Sequence, residues 1–141
     1  MHAEKNEQAY IETLWREVYE LYRSDDHFDH LALIQLAEKL LGMGGNSAEA
    51  RARLNCLIAD TYNNHLHEPP FAEAYYKLAL KEDPKNARAG THLGLLYISY
   101  FKDYPTAVKV LQRALDAGIA SRSIRTEAQT ALKLAQQKLN T

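Results

Sequence analysis

The sequence predicts an all-α chain: antiparallel helix pairs stacked as a short right-handed α-solenoid, about seven helices in all, the last of them a capping helix. Two observations predict it. Ile58, Tyr62, Pro70, Ala72, Tyr76, Ala79 and Leu80 are followed, always 35 residues later, by Leu93, Tyr97, Pro105, Ala107, Leu111, Ala114 and Leu115. A constant register at that period marks a repeat of one supersecondary unit. Each copy is also an apolar helical stripe, a short polar break containing proline, and a second stripe, so each unit is a helix pair that needs a neighbour to bury its faces.

In chain order, Tyr10, Ile11, Leu14, Trp15, Val18, Tyr19, Leu21 and Tyr22 are spaced by three and four and predict a first helix over Glu7 to Ser24 with a wide buried face. The break RSDDHFDH ends it, and Asp25 or Asp26 can cap the next helix, Phe28 to Leu41, whose stripe is Leu31, Leu33, Ile34, Leu36, Ala37, Leu40 and Leu41. GMGG offers a left-handed glycine to close it. Asn46 or Ser47 starts the third helix, which runs to Asn64, and Asn46 with Glu49 has the spacing of a capping box. Pro70 suits the first turn of the fourth helix, where a missing amide hydrogen loses no bond, and Asp83-Pro84 ends it. Asn86 to Tyr100 and Pro105 to Ala117 repeat the pair, with Gly118 as terminator. Ser121 to Asn140 carries the weaker stripe Ile124, Ala128, Ala131, Leu132, Ala135 and Leu139, as an end cap with one solvated face requires. The units are thus about 7–42, 47–82 and 86–118, with the cap over 121–140, in a single domain of 1–141.

Bulk properties fit one continuous core. A chain of 141 residues buries about 68–70% of its extended surface. Lys+Arg of 17 against Asp+Glu of 18 leaves no global field to gather nucleic acid, so no nucleic-acid partner is expected. The single cysteine, Cys56, excludes an internal disulfide and fits a reducing compartment. No run is long and apolar enough for a membrane span, and the polar start MHAEKNEQAY lacks the apolar core of a signal peptide, so a cytoplasmic location is expected.

These residues resemble the tetratricopeptide repeat. Leu93-Gly94 and Tyr97 are similar to its first-helix signature, followed by Ala107, Leu111 and Ala114 on the second helix. In the preceding copy Ile58-Ala59, Tyr62, Ala72, Tyr76, Ala79 and Asp83-Pro84 stand in the same places. The N-terminal copy is worn: Trp15, Val18, Tyr19 and Tyr22 fit, while Ala32 and Leu36 fit loosely. The family repeat has 34 residues. This one has 35, the extra residue falling in the turn before Pro70 and Pro105, and Asn55 and Gly90 replace a large residue near the start of the first helix. Those two substitutions are expected to loosen packing between units.

The resemblance implies a non-enzymatic interaction module, a scaffold or chaperone-like adaptor, that binds a protein or peptide partner in the groove lined by the first helix of each pair. On matching positions it places Arg16 and Glu20, then Arg53, Asp60, Asn63 and Asn64, then Arg88, Thr91, Leu95 and Ile98 in that groove. Family members that grip a partner's C-terminal carboxylate share a lysine and an asparagine on the first unit. Arg16 and Glu20 hold those places here, so that clamp is not expected. The alternatives are a structural subunit that self-associates, and a metal-binding protein. For the latter, His27 and His30 lie in the first turn and His65 and His67 in the second, on the same edge of a stack, where four imidazoles would suit zinc. Exposed polar turn residues explain the same histidines more simply, and no metal or cofactor is expected. Cys56, within RLNCLIAD, reads as a small buried hydrophobe and not as a nucleophile.

Overall fold

The computed structural model describes residues 2–141, with side chains from Lys5 onward. Its elements are α1 (His2–Tyr22), α2 (His27–Gly42), α3 (Ala48–Asn64), α4 (Pro69–Glu82), α5 (Ala87–Leu96) continued by a π-helical turn (Tyr97–Phe101), α6 (Tyr104–Ala117) and α7 (Arg122–Leu139). No strand occurs among the described residues. α1 packs on α2, α3 on α4 and α5 on α6; α2 on α3 and α4 on α5 join the pairs, and α7 covers α5 and α6. The architecture is an all-α helical-repeat solenoid with a capping helix.

Local chemistry sets most boundaries. Asp26 caps α2, its carboxylate accepting the Phe28 amide at 2.8 Å. Ser47 caps α3 by accepting the Ala50 amide at 3.1 Å. Asn46 is therefore not the cap and forms no capping box. Its amide group instead accepts from Trp15 Nε1 at 3.2 Å and donates to the Leu40 carbonyl at 2.9 Å, tying α1 to the end of α2. Pro69 and Pro70 fill the first turn of α4, and Gly118 ends α6 with φ of 91°. At GMGG the cap is Met43 in extended conformation, and the left-handed glycine is Gly45, two residues further on.

The extra residue of the 35-residue repeat has a defined conformation. His67 and Lys102, equivalent in the register, take φ of 54° and 55°. In both turns a bond then closes back over six residues, from the Glu68 amide to the Tyr62 carbonyl and from the Asp103 amide to the Tyr97 carbonyl, each 2.9 Å. One left-handed residue thus reverses the chain without leaving the last carbonyls unpaired. The third pair differs from the second in its final turn. Tyr97 to Phe101 is π-helical where the periodicity predicts a continuous α-helix to Tyr100.

Burial divides the apolar residues into two main clusters that share α3. Ile11, Leu14 and Val18, Leu33, Ile34, Ala37 and Leu40, with Leu54, Leu57 and Ile58 of α3, form one. Ala52, Cys56 and Ala59 of α3, with Ala72, Tyr76, Ala79, Leu93, Tyr97, Ala107, Leu111, Ala131 and Ala135, form the other. Because α3 serves both, every residue from Leu54 to Thr61 is buried. Three predicted stripe residues are exposed instead: Tyr10, Leu31 and Leu139 lie at the edges of their helical stripes.

Gly90 and Gly94 allow close packing within the third pair, while between units a depression of about 370 Å3 remains at Gly90, lined also by Leu80, Pro84 and Ala114. A Cβ on Gly94 would stand 2.4 Å from Leu111 Cγ, and one on Gly90 would stand 2.9 Å from Ala114 Cβ. The absent side chains let α5 and α6 approach closely, so Gly90 tightens the third pair. Asn55, the other departure, is buried on α3.

Candidate functional site

The first helices of the three pairs meet around one buried carboxylate. Asp60, on α3 with 1% exposure, accepts the Tyr76 hydroxyl of α4, His92 Nδ1 at 2.8 Å and Arg88 Nε at 2.9 Å, the last two from α5. Arg88 donates onward from Nη2 to the Tyr22 hydroxyl of α1 and lies over the Tyr22 ring, 5.6 Å from its centre. Asp60 thus joins α3, α4 and α5 directly, and Arg88 carries the network on to α1. Burial would raise the Asp60 carboxyl, but hydrogen bonds and charge from His92, the Tyr76 hydroxyl and the Arg88 guanidinium outweigh it and hold it below the usual carboxylate value. Burial likewise opposes charge on Arg88, and the Asp60 carboxylate more than restores it. The Tyr76 hydroxyl, buried beside that carboxylate, is pushed far up and stays a donor.

Arg53 and Arg88 are equivalent in the repeat, and they do the same thing twice. Each reaches back over an aromatic ring of α1, Arg53 at 5.8 Å from the Trp15 centre and Arg88 over Tyr22, within the range of cation–π attraction. Between α1, α3 and α5 they border a depression of about 220 Å3, with Tyr19, Cys56, Leu57 and Asn86. A second depression, of about 450 Å3, opens between α1 and α3 along Gln8, Glu12, Trp15 and Arg53. Further along the same face Asn63, Asn64, His92, Leu95 and Glu127 line one of about 260 Å3. Asn63 and Leu95 also border one of about 450 Å3 with His67, Pro69, Ser99 and Tyr100, beside the π-helical turn.

Of the groove residues expected from the sequence, Arg53, Asn63, Asn64, Arg88 and Leu95 line these depressions. Asp60, Thr91 and Ile98 are buried instead. Asp60 is consumed by the network, Thr91 is fully buried with its hydroxyl unpaired among the described residues, and Ile98 is 6% exposed in the core. Arg16 and Glu20 are exposed on α1, but the face of α1 that lines the depressions carries Trp15 and Tyr19, one position away on the helix. In the sequence those aromatics and Tyr22 belong to the apolar stripe of the first helix, and Glu127 carries no signal of its own. The signal available for Tyr22 and Trp15 was their place on α1 opposite two arginines in register.

The histidines do not converge. His30 is buried, its Nε2 2.8 Å from the Ser24 carbonyl, and its ring stacks on that of His65 with centres 3.8 Å apart and planes at 17°. Stacked rings direct their nitrogen lone pairs in parallel planes and not at a common point. His27 packs edge-on against Phe28, and His67 is the left-handed turn residue. Among the described residues no group of three or more His, Cys, Asp or Glu is placed to hold a metal ion. The zinc alternative at His27, His30, His65 and His67 thus finds no such group, and the expectation of exposed polar turn residues is corrected at His30, which is buried. Cys56 is buried, and burial with the nearby Asp60 carboxylate pushes its thiol far above the ordinary value, so it has no thiolate character.

The three stacked pairs, the Ala and Tyr positions of their facing helices and the capping α7 define a tetratricopeptide-repeat fold. The sequence matches no protein-family model and no curated protein. Among solved structures the chain is similar to one described as the complex of the TPR2B domain of yeast Sti1 with pHsp70: 22% identity, TM-score 0.72, with 91% of this chain and 97% of that one covered. No helix among the described residues is long and apolar enough to cross a membrane.

Proposed function

We propose that this chain is a non-enzymatic adaptor whose inner face, formed by α1, α3 and α5, binds a segment of a partner protein. The observation that carries the reading is the pair of arginines in register, Arg53 and Arg88, laid over Trp15 and Tyr22 beside shallow depressions, with Arg88 fixed by a buried carboxylate. Guanidinium groups held by aromatic rings and an ion pair lose little freedom when a ligand arrives, which favours binding. Asn63 and Asn64 add hydrogen-bonding groups and Leu95 an apolar contact, a mixture that fixes orientation as well as affinity. The fold likeness to a domain solved with a bound partner supports the same use. A reducing, cytoplasmic setting suits the reduced Cys56.

The test is affinity capture from native lysate with wild type and an Arg53→Glu variant. Arg53 is exposed and has no ion-pair partner among the described residues, so its reversal leaves the core intact. Arg88→Glu is unsuitable, because it would set a carboxylate against buried Asp60. Specific loss of one co-purifying protein in the variant supports the groove; identical capture by both places binding elsewhere. A second reading, a self-associating structural subunit, draws on the exposed Phe28 (78%) and Phe71 (54%), which lie outside the groove. A concentration-dependent dimer lost in a Phe28→Ser, Phe71→Ser variant would favour it.

A further inference from the structure

We infer that the depression between α3, α5 and α7 is a subsite for a lysine or arginine side chain of the partner, with His92 and Glu127 as its acceptors. An ionised carboxylate only accepts, so at 2.8 Å Asp60 takes a hydrogen bond from His92 Nδ1, which turns Nε2 away from Asp60, and in that tautomer Nε2 is the acceptor of the ring. Nε2 stands 3.9 Å from Glu127 Oε1 on α7, too far for a hydrogen bond between them. Two acceptors at that separation can share one donor: an ammonium nitrogen, or one edge of a guanidinium, fits about 2.8–3.0 Å from each. Among the described residues no lysine or arginine comes within 4 Å of Glu127. The rest of the wall suits the same guest. Asn63 and Asn64 present side-chain amides, and Leu95 gives the aliphatic stem a surface to lie on.

This subsite rests on the groove reading and deepens it. Arg88 and His92 lie one turn apart on α5, about 5–6 Å between Cβ atoms, and Asp60 holds both. Alternate side chains of an extended segment repeat at about 6.6 Å on one side. An acidic residue at the arginines and a basic residue two positions away would therefore be bound together. The capping helix α7, through Glu127, becomes part of the recognition surface and not only an end cover.

A phage-displayed library of random twelve-residue peptides, selected on the intact protein, tests it. The expected result is enrichment of Lys or Arg two positions from an Asp or Glu, with the basic preference lost on Glu127→Gln while the acidic preference remains. A synthetic consensus peptide should then weaken at least fivefold both when its basic residue becomes Ala and when Glu127→Gln is made, the two together costing little more than either. Peptides that depend on Arg53 but show no basic preference, or one indifferent to Glu127→Gln, overturn this subsite and leave the groove standing. No selectable peptide, or binding indifferent to Arg53→Glu, overturns both.

Discussion

Replacing Asp60 by Ala should cost more stability than any other single polar substitution in the chain. The side chain is fully buried and accepts three hydrogen bonds, two of them from Arg88 and His92. Its removal leaves the buried Tyr76 hydroxyl unpaired, a penalty of about 1–3 kcal/mol, and strips Arg88 of its one carboxylate partner among the described residues. Water solvates part of the Arg88 side chain, which is 42% exposed, so the total loss should be about 2–4 kcal/mol. For 141 residues the unfolding entropy is about 0.3 kcal/mol/K, so the thermal midpoint should fall by about 7–13 °C. Thermal and urea unfolding followed by helical circular dichroism, on Asp60→Ala, Arg88→Ala and the double variant, are the assay. The double variant should be less destabilised than the sum of the two singles, since the shared interaction is lost once. A loss below about 1 kcal/mol for Asp60→Ala, or strict additivity, would refute the claim that this carboxylate organises the four helices.

Other expected outcomes follow from particular contacts. Gly94→Ala should destabilise by about 1–3 kcal/mol through overpacking against Leu111, in spite of the roughly 1 kcal/mol that alanine gains in helix propensity; an unchanged urea midpoint would contradict it. Thr91→Val removes a buried hydroxyl that has no partner among the described residues and keeps the shape, so stability should rise by about 1 kcal/mol, and a fall would show that the hydroxyl is satisfied. His65 is held below its ordinary value by burial first and then by the stacked His30. The unfolded chain, with His near 6.5, therefore binds more protons than the folded one just below that pH. The stabilisation is present above about pH 6.5 and is lost as pH falls through the lower folded value; His65→Phe should flatten the decline in thermal midpoint between pH 7 and 5.

The repeat was legible because alanines, tyrosines and prolines at fixed positions serve backbone geometry that recurs: Ala72 and Ala107 are both fully buried, and His67 and Lys102 share one left-handed turn. The site was legible only in part. Asp60 reads as a polar-face residue, yet it interrupts a run, Leu54 to Thr61, whose helix is buried on two sides, and a charge there must find partners inside. Those partners lie 16, 28 and 32 residues away on other helices, beyond any local pattern. Arg16 and Glu20 are exposed one position along α1 from Trp15 and Tyr19, which line the depressions, since family register fixes the stripe that packs and not the rotation of a worn first unit. The π-helical turn leaves no trace, because Tyr97 and Phe101 keep the spacing of four that an α-helix also gives.

The central claim, that the inner face is the binding surface, is tested most directly by amide chemical-shift mapping of the labelled protein with a segment of the captured partner. The largest changes should fall on Arg53, Asn63, Arg88, His92 and Leu95, with the exposed Phe28, Phe71 and Leu78 unmoved. Changes concentrated on those three exposed residues, with the inner helices silent, would contradict it.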